Sequence, residues 1–106
     1  MRVLFDQGAP VPLRQALSNH SVSTAYDLGW ATLKNGELLL AAEKERFDVL
    51  VTTDNNLRYQ QNLTGRKIAI VVLSTTSWPR IRIAAEKVVV AVNAASAGGF
   101  TEVLIP

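Results

Sequence analysis

Apolar positions along the chain fall into short runs and spaced sets, separated by turn residues. Met1–Phe5, ending at Asp6, is a short run, and Asp48–Thr53 and Lys67–Leu73 are two more. Such runs, rich in Val, Ile and Leu, predict buried strands. Ser21–Ala25 alternates and carries β-branched residues, and Phe100–Ile105 follows the Gly98-Gly99 stop. Both predict strands. Leu13 and Leu17, four apart after the Gln7–Pro12 turn cluster, predict a short amphipathic helix to about Ser18. Asn35 is a good N-cap for a helix carrying Leu38, Leu39, Ala41 and Ala42 and ending near Arg46. Asn55–Leu63, closed by Thr64-Gly65, predicts another short helix. The longest helix runs from Pro79 to about Ala97, because Ile81, Ala84, Ala85, Val88, Val92 and Ala95 keep a helical period despite the β-branched content.

The resulting order is β-α-β-α-β-α-β-α-β. This alternation predicts one α/β domain over residues 1–106, with a mostly parallel five-stranded sheet flanked by helices on both faces. All strand C-termini then share one edge, where ligands of such folds bind. Asp6 ends the first strand and Asp54 follows the third. Asp27 lies just past the second, and Asn35 and Glu37 open the helix fed by that loop. Asp48 begins its strand and belongs to the opposite edge. Crowded carboxylates resist ionising together unless a cation sits between them. Oxygen donors without His or Cys select Mg²⁺ or Mn²⁺ over zinc, and such an ion can orient water for attack on a phosphodiester. The same residues also serve as turn formers, N-caps or partners of a helix dipole.

Composition narrows the setting. With 106 residues, 48% hydrophobic and 19% charged, the chain can bury one core and is not disordered. It has no cysteine, so disulfides and thiolate metal sites are excluded. No apolar stretch is long enough to span a membrane, and the N-terminus enters a strand without a signal-type leader; a cytoplasmic protein is expected. The net charge of +2 permits contact with nucleic acid without arguing for it.

Three segments carry a resemblance: Val3-Leu-Phe-Asp6, then Tyr26-Asp-Leu-Gly29 through Glu37-Leu-Leu39, then Val49-Leu-Val-Thr-Thr-Asp54. Over roughly residues 1 to 75 the chain resembles the short PIN-like proteins of bacteria and archaea, relatives of the PIN nuclease domain often carried beside toxin–antitoxin genes. The resemblance implies a metal-dependent ribonuclease fold with acids at the strand ends. It places Asp6 at the first-strand acid, Asp54 at the acid after the third strand, and Thr52 at the supporting threonine. The family's helix-opening acid falls on Asn35, with Glu37 two residues later as a substitute. Asn55 and Asn56 stand where the family often has a further acid.

The expected site therefore comprises Asp6, Asp54 and Glu37 as catalytic and metal-binding residues, Asn35 as a further ligand, and Thr52, Asp27 and Asn55 in support. Arg58, four residues past Asp54, either grips a phosphate or pairs with Asp54. Trp78 either stacks on a base or packs under the last helix. His20 lies on the edge away from the acids. The last helix is apolar on two sides, with Ile83, Val90, Ala94 and Ala97 opposite the main stripe, so it predicts a second partner, either another copy or an antitoxin. The leading expectation is a toxin-type PIN-like endoribonuclease acting on RNA with Mg²⁺ or Mn²⁺. A catalytically inactive PIN-like domain that binds protein or RNA is the alternative, motivated by Asn35, Asn55 and Asn56. A receiver-type phosphoacceptor fits least, because Gln7 stands where receivers carry a second acid.

Overall fold

A computed structural model describes residues 1–54 and 66–106 of the chain. Five strands form one sheet: β1 (Arg2–Phe5), β2 (Ser21–Thr24), β3 (Val49–Thr52), β4 (Ala69–Leu73) and β5 (Phe100–Val103). Every neighbouring pair is parallel and the order is β2-β1-β3-β4-β5. A 3₁₀ helix (Val11–Leu17) links β1 to β2, α1 (Asn35–Lys44) links β2 to β3, and α2 (Trp78–Ile83) with α3 (Ala85–Asn93) links β4 to β5. The α/β class, the parallel sheet and the helices on both its faces follow the sequence pattern. The helix expected over 55–63 lies outside the described residues.

Period-2 alternation in the strands divides the core in two. Val3, Phe5, Val49, Val51, Val71 and Leu73 face one side, where they meet Leu13 and Leu17 of the 3₁₀ helix and Ile81, Val88 and Val92 of α2 and α3. Leu4, Leu50, Ile70 and Val72 face the other, against Leu38, Leu39 and Ala42 of α1. Most of these side chains are completely buried, each worth roughly 1.5–3 kcal/mol relative to exposure. No described helix is long and apolar enough to cross a membrane.

Two of the expected helices differ in their bounds. The helix predicted from 79 to 97 is two helices, broken at Ala84 (φ −104°, ψ 18°) and ending at Asn93. At the break the Ala84 N–H donates to the Ile81 carbonyl at 3.0 Å, a tightened turn. It keeps Ile81, Ala84, Val88 and Val92 buried on the sheet. The chain leaves the helix before Ala97 because Gly98, at φ 74°, donates its N–H to the Ile68 carbonyl at 3.3 Å to bring in β5. At α1, Lys34 rather than Asn35 is the N-cap: its carbonyl accepts from the N–H groups of Glu37 at 2.8 Å and Leu38 at 3.1 Å. Leu33 and Leu38 sit in the same apolar cluster and bracket this start as a hydrophobic staple. That contact sets the boundary one residue early.

The strand order matters most for the site. From β1 the chain moves outward to β2, then returns past β1 to build β3, β4 and β5 on its other side. The reversal lies between β1 and β3, and in open parallel sheets the crevice at the C-terminal end of such a point is the usual ligand site.

Candidate active site at the β1–β3 reversal

Phe5 pairs with Val51, so Asp6 and Thr52 are the next residues outward on adjacent strands. The Asp6 N–H donates to the Val51 carbonyl at 3.1 Å, carrying the ladder one residue beyond β1. The Asp6 carboxylate is held from two sides: Oδ1 accepts the Gly8 N–H at 2.9 Å, and Oδ2 accepts the hydroxyl of Thr52. Thr52 is fully buried, and its Oγ1 accepts the Asp54 N–H at 3.0 Å. One hydroxyl thus ties the Asp6 carboxylate to the backbone of Asp54, and both residues are half-buried.

Gly8 makes this arrangement possible. The Asp6 carbonyl accepts the Ala9 N–H at 3.2 Å, folding 6–9 into a tight turn against the exit of β3. A Cβ on Gly8 would lie 2.0 Å from Thr53 Oγ1 and 3.3 Å from Thr53 Cβ. Any larger residue must displace Thr53 or the turn.

Burial pushes the Asp6 carboxyl above the ordinary aspartate value, and the negative charge of Asp54 adds to the shift. Hydrogen bonds from Thr52, Gly8 and Ala9 oppose it without cancelling it. The folded carboxyl therefore binds its proton more readily than the unfolded one. Its contribution favours the fold below the unfolded value of about 4 and is lost as pH rises through the folded value. In metal-free protein, the melting temperature of Asp6→Asn relative to wild type should rise from about pH 4 to pH 7, because only wild type takes on the disfavoured charge. Calorimetry across that range checks it; a relative melting temperature that falls over it contradicts it.

The structure brings together Asp6, Thr52 and Asp54, sets Asp27 on the same depression as Asp6, and leaves Glu37 apart. Glu37 is exposed in the first turn of α1 and lines a separate groove with Leu40 and Lys44. Asp27 sits on the shoulder of β2, its N–H donating to Thr24 Oγ1 at 3.1 Å and its carboxylate 3.6 Å from the Arg14 guanidinium. Among the described residues, no three His, Cys, Asp or Glu side chains gather as a metal group. Asn35 opens α1 as its first helical residue. Asn55, Asn56 and Arg58 lie outside the described residues. Trp78 is partly buried and packs against the core on the α2–α3 side. His20 bridges the N-terminal amine, at 3.2 Å from Nδ1, and Asn93 Oδ1, at 2.7 Å from Nε2. At the far edge Asp48 accepts the Arg2 N–H at 2.8 Å, as expected of a residue at a strand's start.

Sequence reasoning missed three participants. Gly8 was legible only as a turn residue, although Asp-x-Gly after a strand is the pattern of an aspartate receiving a backbone N–H two residues on. Gln7 donates through Nε2 to the Ala31 carbonyl at 3.0 Å and fixes the loop beside the acid. Arg14, on the 3₁₀ helix, faces Asp27. Two depressions flank the Asp6-Gln7 loop: one of about 410 Å³ between it and Tyr26, and one of about 170 Å³ toward Trp30 and Leu33.

The donor set suits a hard divalent cation that keeps most of its waters. Magnesium binds through one or two carboxylates plus water and phosphate oxygens, so two acids suffice. The Asp6 carboxylate offers about four lone-pair sites, and hydrogen bonds from Thr52, Gly8 and Ala9 leave one for a cation. No family model, curated protein or solved structure matches the chain.

Proposed function

We propose that the protein is a PIN-like, metal-dependent endoribonuclease, with Asp6 and Asp54 holding one Mg²⁺ or Mn²⁺ at the β1–β3 reversal. The observation carrying this reading is two acids at the edge where such sheets bind ligands: the buried Thr52 hydroxyl donates to the Asp6 carboxylate and accepts the Asp54 backbone N–H, the Asp54 charge acts on Asp6, and Asp6 lines a cavity. Burial and the Asp54 charge make Asp6 resist charging, and a bound cation would relieve both. The bound ion would supply charge neutralisation for a phosphodiester and a water more readily deprotonated at neutral pH. Thr52 and Gly8 fix the rotamer of Asp6, so the carboxylate pays little ordering entropy when the ion binds. The 6–9 turn closes one flank and keeps the reacting phosphate at the strand ends.

The resemblance to short PIN-like proteins supports a cytoplasmic, toxin-type role with an antitoxin partner. Ile83 and Val90 on the outer side of α2 and α3 are 85% and 59% exposed, which supports a homodimer through this segment. A second reading, a PIN-like domain that binds RNA or protein without cutting, is favoured by one feature: Glu37 does not join the two aspartates. Incubation of single-stranded RNA with the purified protein separates the readings. The nuclease cuts with Mn²⁺, stops in EDTA and resumes when Mn²⁺ is restored. Retention of intact RNA under all three conditions supports the binding module.

A further inference from the structure

The cavity of about 410 Å³ beside Asp6 carries groups that a phosphodiester alone does not use. Ala9 and Thr24, both buried, are among its lining residues, and Val11 lends it apolar surface. Tyr26 stands at its rim 76% exposed, a large aromatic surface that adds nothing to the core. Yet its backbone is fixed. The Leu28 N–H donates to the Thr24 carbonyl at 3.2 Å, the Gly29 N–H to the Tyr26 carbonyl at 3.1 Å and the Trp30 N–H to the Ala25 carbonyl at 2.8 Å. Gly29, at φ 75°, completes this turn. The Asp27 carboxylate, 63% exposed, lines the same cavity with Arg14 beside it.

We propose that this cavity is a guanine subsite, in which Tyr26 stacks on the base and the Asp27 carboxylate accepts its N1–H and N2–H groups. The proposal rests on the ribonuclease reading and names the substrate's base. The volume lies within the range of small-ligand sites, roughly 300–1,000 Å³. Single-stranded RNA is recognised by stacking unpaired bases on aromatic side chains and by bonding their edges. A carboxylate only accepts hydrogen bonds. Guanine alone presents two adjacent donors on its Watson–Crick edge. Adenine and cytosine set a donor beside an acceptor, and uracil flanks its single donor with two carbonyls. Asp6 lines the cavity together with Tyr26 and Asp27, so a base seated there leads its phosphate toward the carboxylate pair. Cleavage would then fall beside guanines.

Nucleosides test this without the metal, and without a phosphate for the acids to repel. Guanosine, inosine, adenosine, cytidine and uridine are titrated into metal-free protein, and amide chemical shifts are followed. Guanosine should bind about ten times more tightly than adenosine, cytidine and uridine, with inosine between them and shifts confined to residues 6–14 and 24–30. Inosine keeps N1–H but lacks the second donor, so it isolates that bond. Tyr26→Ala should weaken every nucleoside about tenfold, whereas Asp27→Asn should remove only the guanosine preference. Both side chains are exposed, so the variants fold, and unchanged amide spectra elsewhere confirm it. Equal binding of all five, shifts elsewhere, or no binding overturns the subsite. Failure of the nuclease reading leaves a different trace: guanosine binds, but no RNA is cut. Failure of the subsite alone leaves Mn²⁺-dependent cleavage that ignores base identity and is unchanged by Tyr26→Ala.

Discussion

Asp54→Asn should slow RNA cleavage by about 10³-fold, equivalent to roughly 4 kcal/mol of transition-state stabilisation. The substitution keeps the size of the side chain and one carbonyl oxygen but removes the charge. A hard divalent cation held by only two carboxylates then loses half of its protein charge. The backbone should not notice: the residue 54 N–H still donates to Thr52 Oγ1, the bond that anchors it now at 3.0 Å. The variant should therefore melt within a few degrees of wild type while its single-turnover rate collapses. Glu37→Gln is the matched control, since Glu37 is exposed and lies outside the acid pair; its rate should stay within about threefold of wild type. Loss of cleavage in Glu37→Gln as large as in Asp54→Asn would mean that a third acid completes the site.

Thr52→Val should cost stability as well as activity. Valine matches threonine in shape and keeps the β-branch that suits a strand. The exchange therefore isolates the hydroxyl. Thr52 is fully buried, and that hydroxyl both donates to Asp6 Oδ2 and accepts the Asp54 N–H. A bond to a charged group is worth about 1.5–3 kcal/mol, and an unsatisfied buried N–H adds to the loss. A total near 3 kcal/mol lowers the melting temperature by about 10–20 °C in a chain of this size. Thr52→Ser, which restores the hydroxyl and gives up one methyl, should lose only about 1 kcal/mol. Thermal melts of the three proteins decide the matter. Coincident melts of wild type and valine variant would show that the hydroxyl links nothing of consequence.

How much of this was legible in the sequence depends on the range of the interaction. Continuous apolar runs ending in Asp or turn residues located β1, β3 and β4, because burial on both faces leaves no room for polar alternation. Strand ends therefore placed Asp6 and Asp54 on one edge. That they are neighbours was not legible. The chain returns past β1 after forming β2, and no local pattern records the order β2-β1-β3. The division at Ala84 was equally hidden, since one helix of constant period and two helices with a tightened turn bury the same residues. Lys34 takes the cap position because Leu33 and Leu38 meet in the core, a tertiary contact that outweighs the capping preference of Asn35. Glu37, two residues into α1, shares the edge in the chain's order, but its first-turn position leaves it exposed and away from the aspartates. Gly8 shows the limit in the other direction. Its residue type announced a turn, but its closeness to Thr53 exists only once β3 lies beside β1.

Manganese titration of the metal-free protein, read by calorimetry, tests the shared-ion site most directly. One Mn²⁺ should bind per chain in wild type, and none at that affinity in Asp6→Asn/Asp54→Asn. Undiminished binding in the double variant, or no binding to wild type, would contradict it.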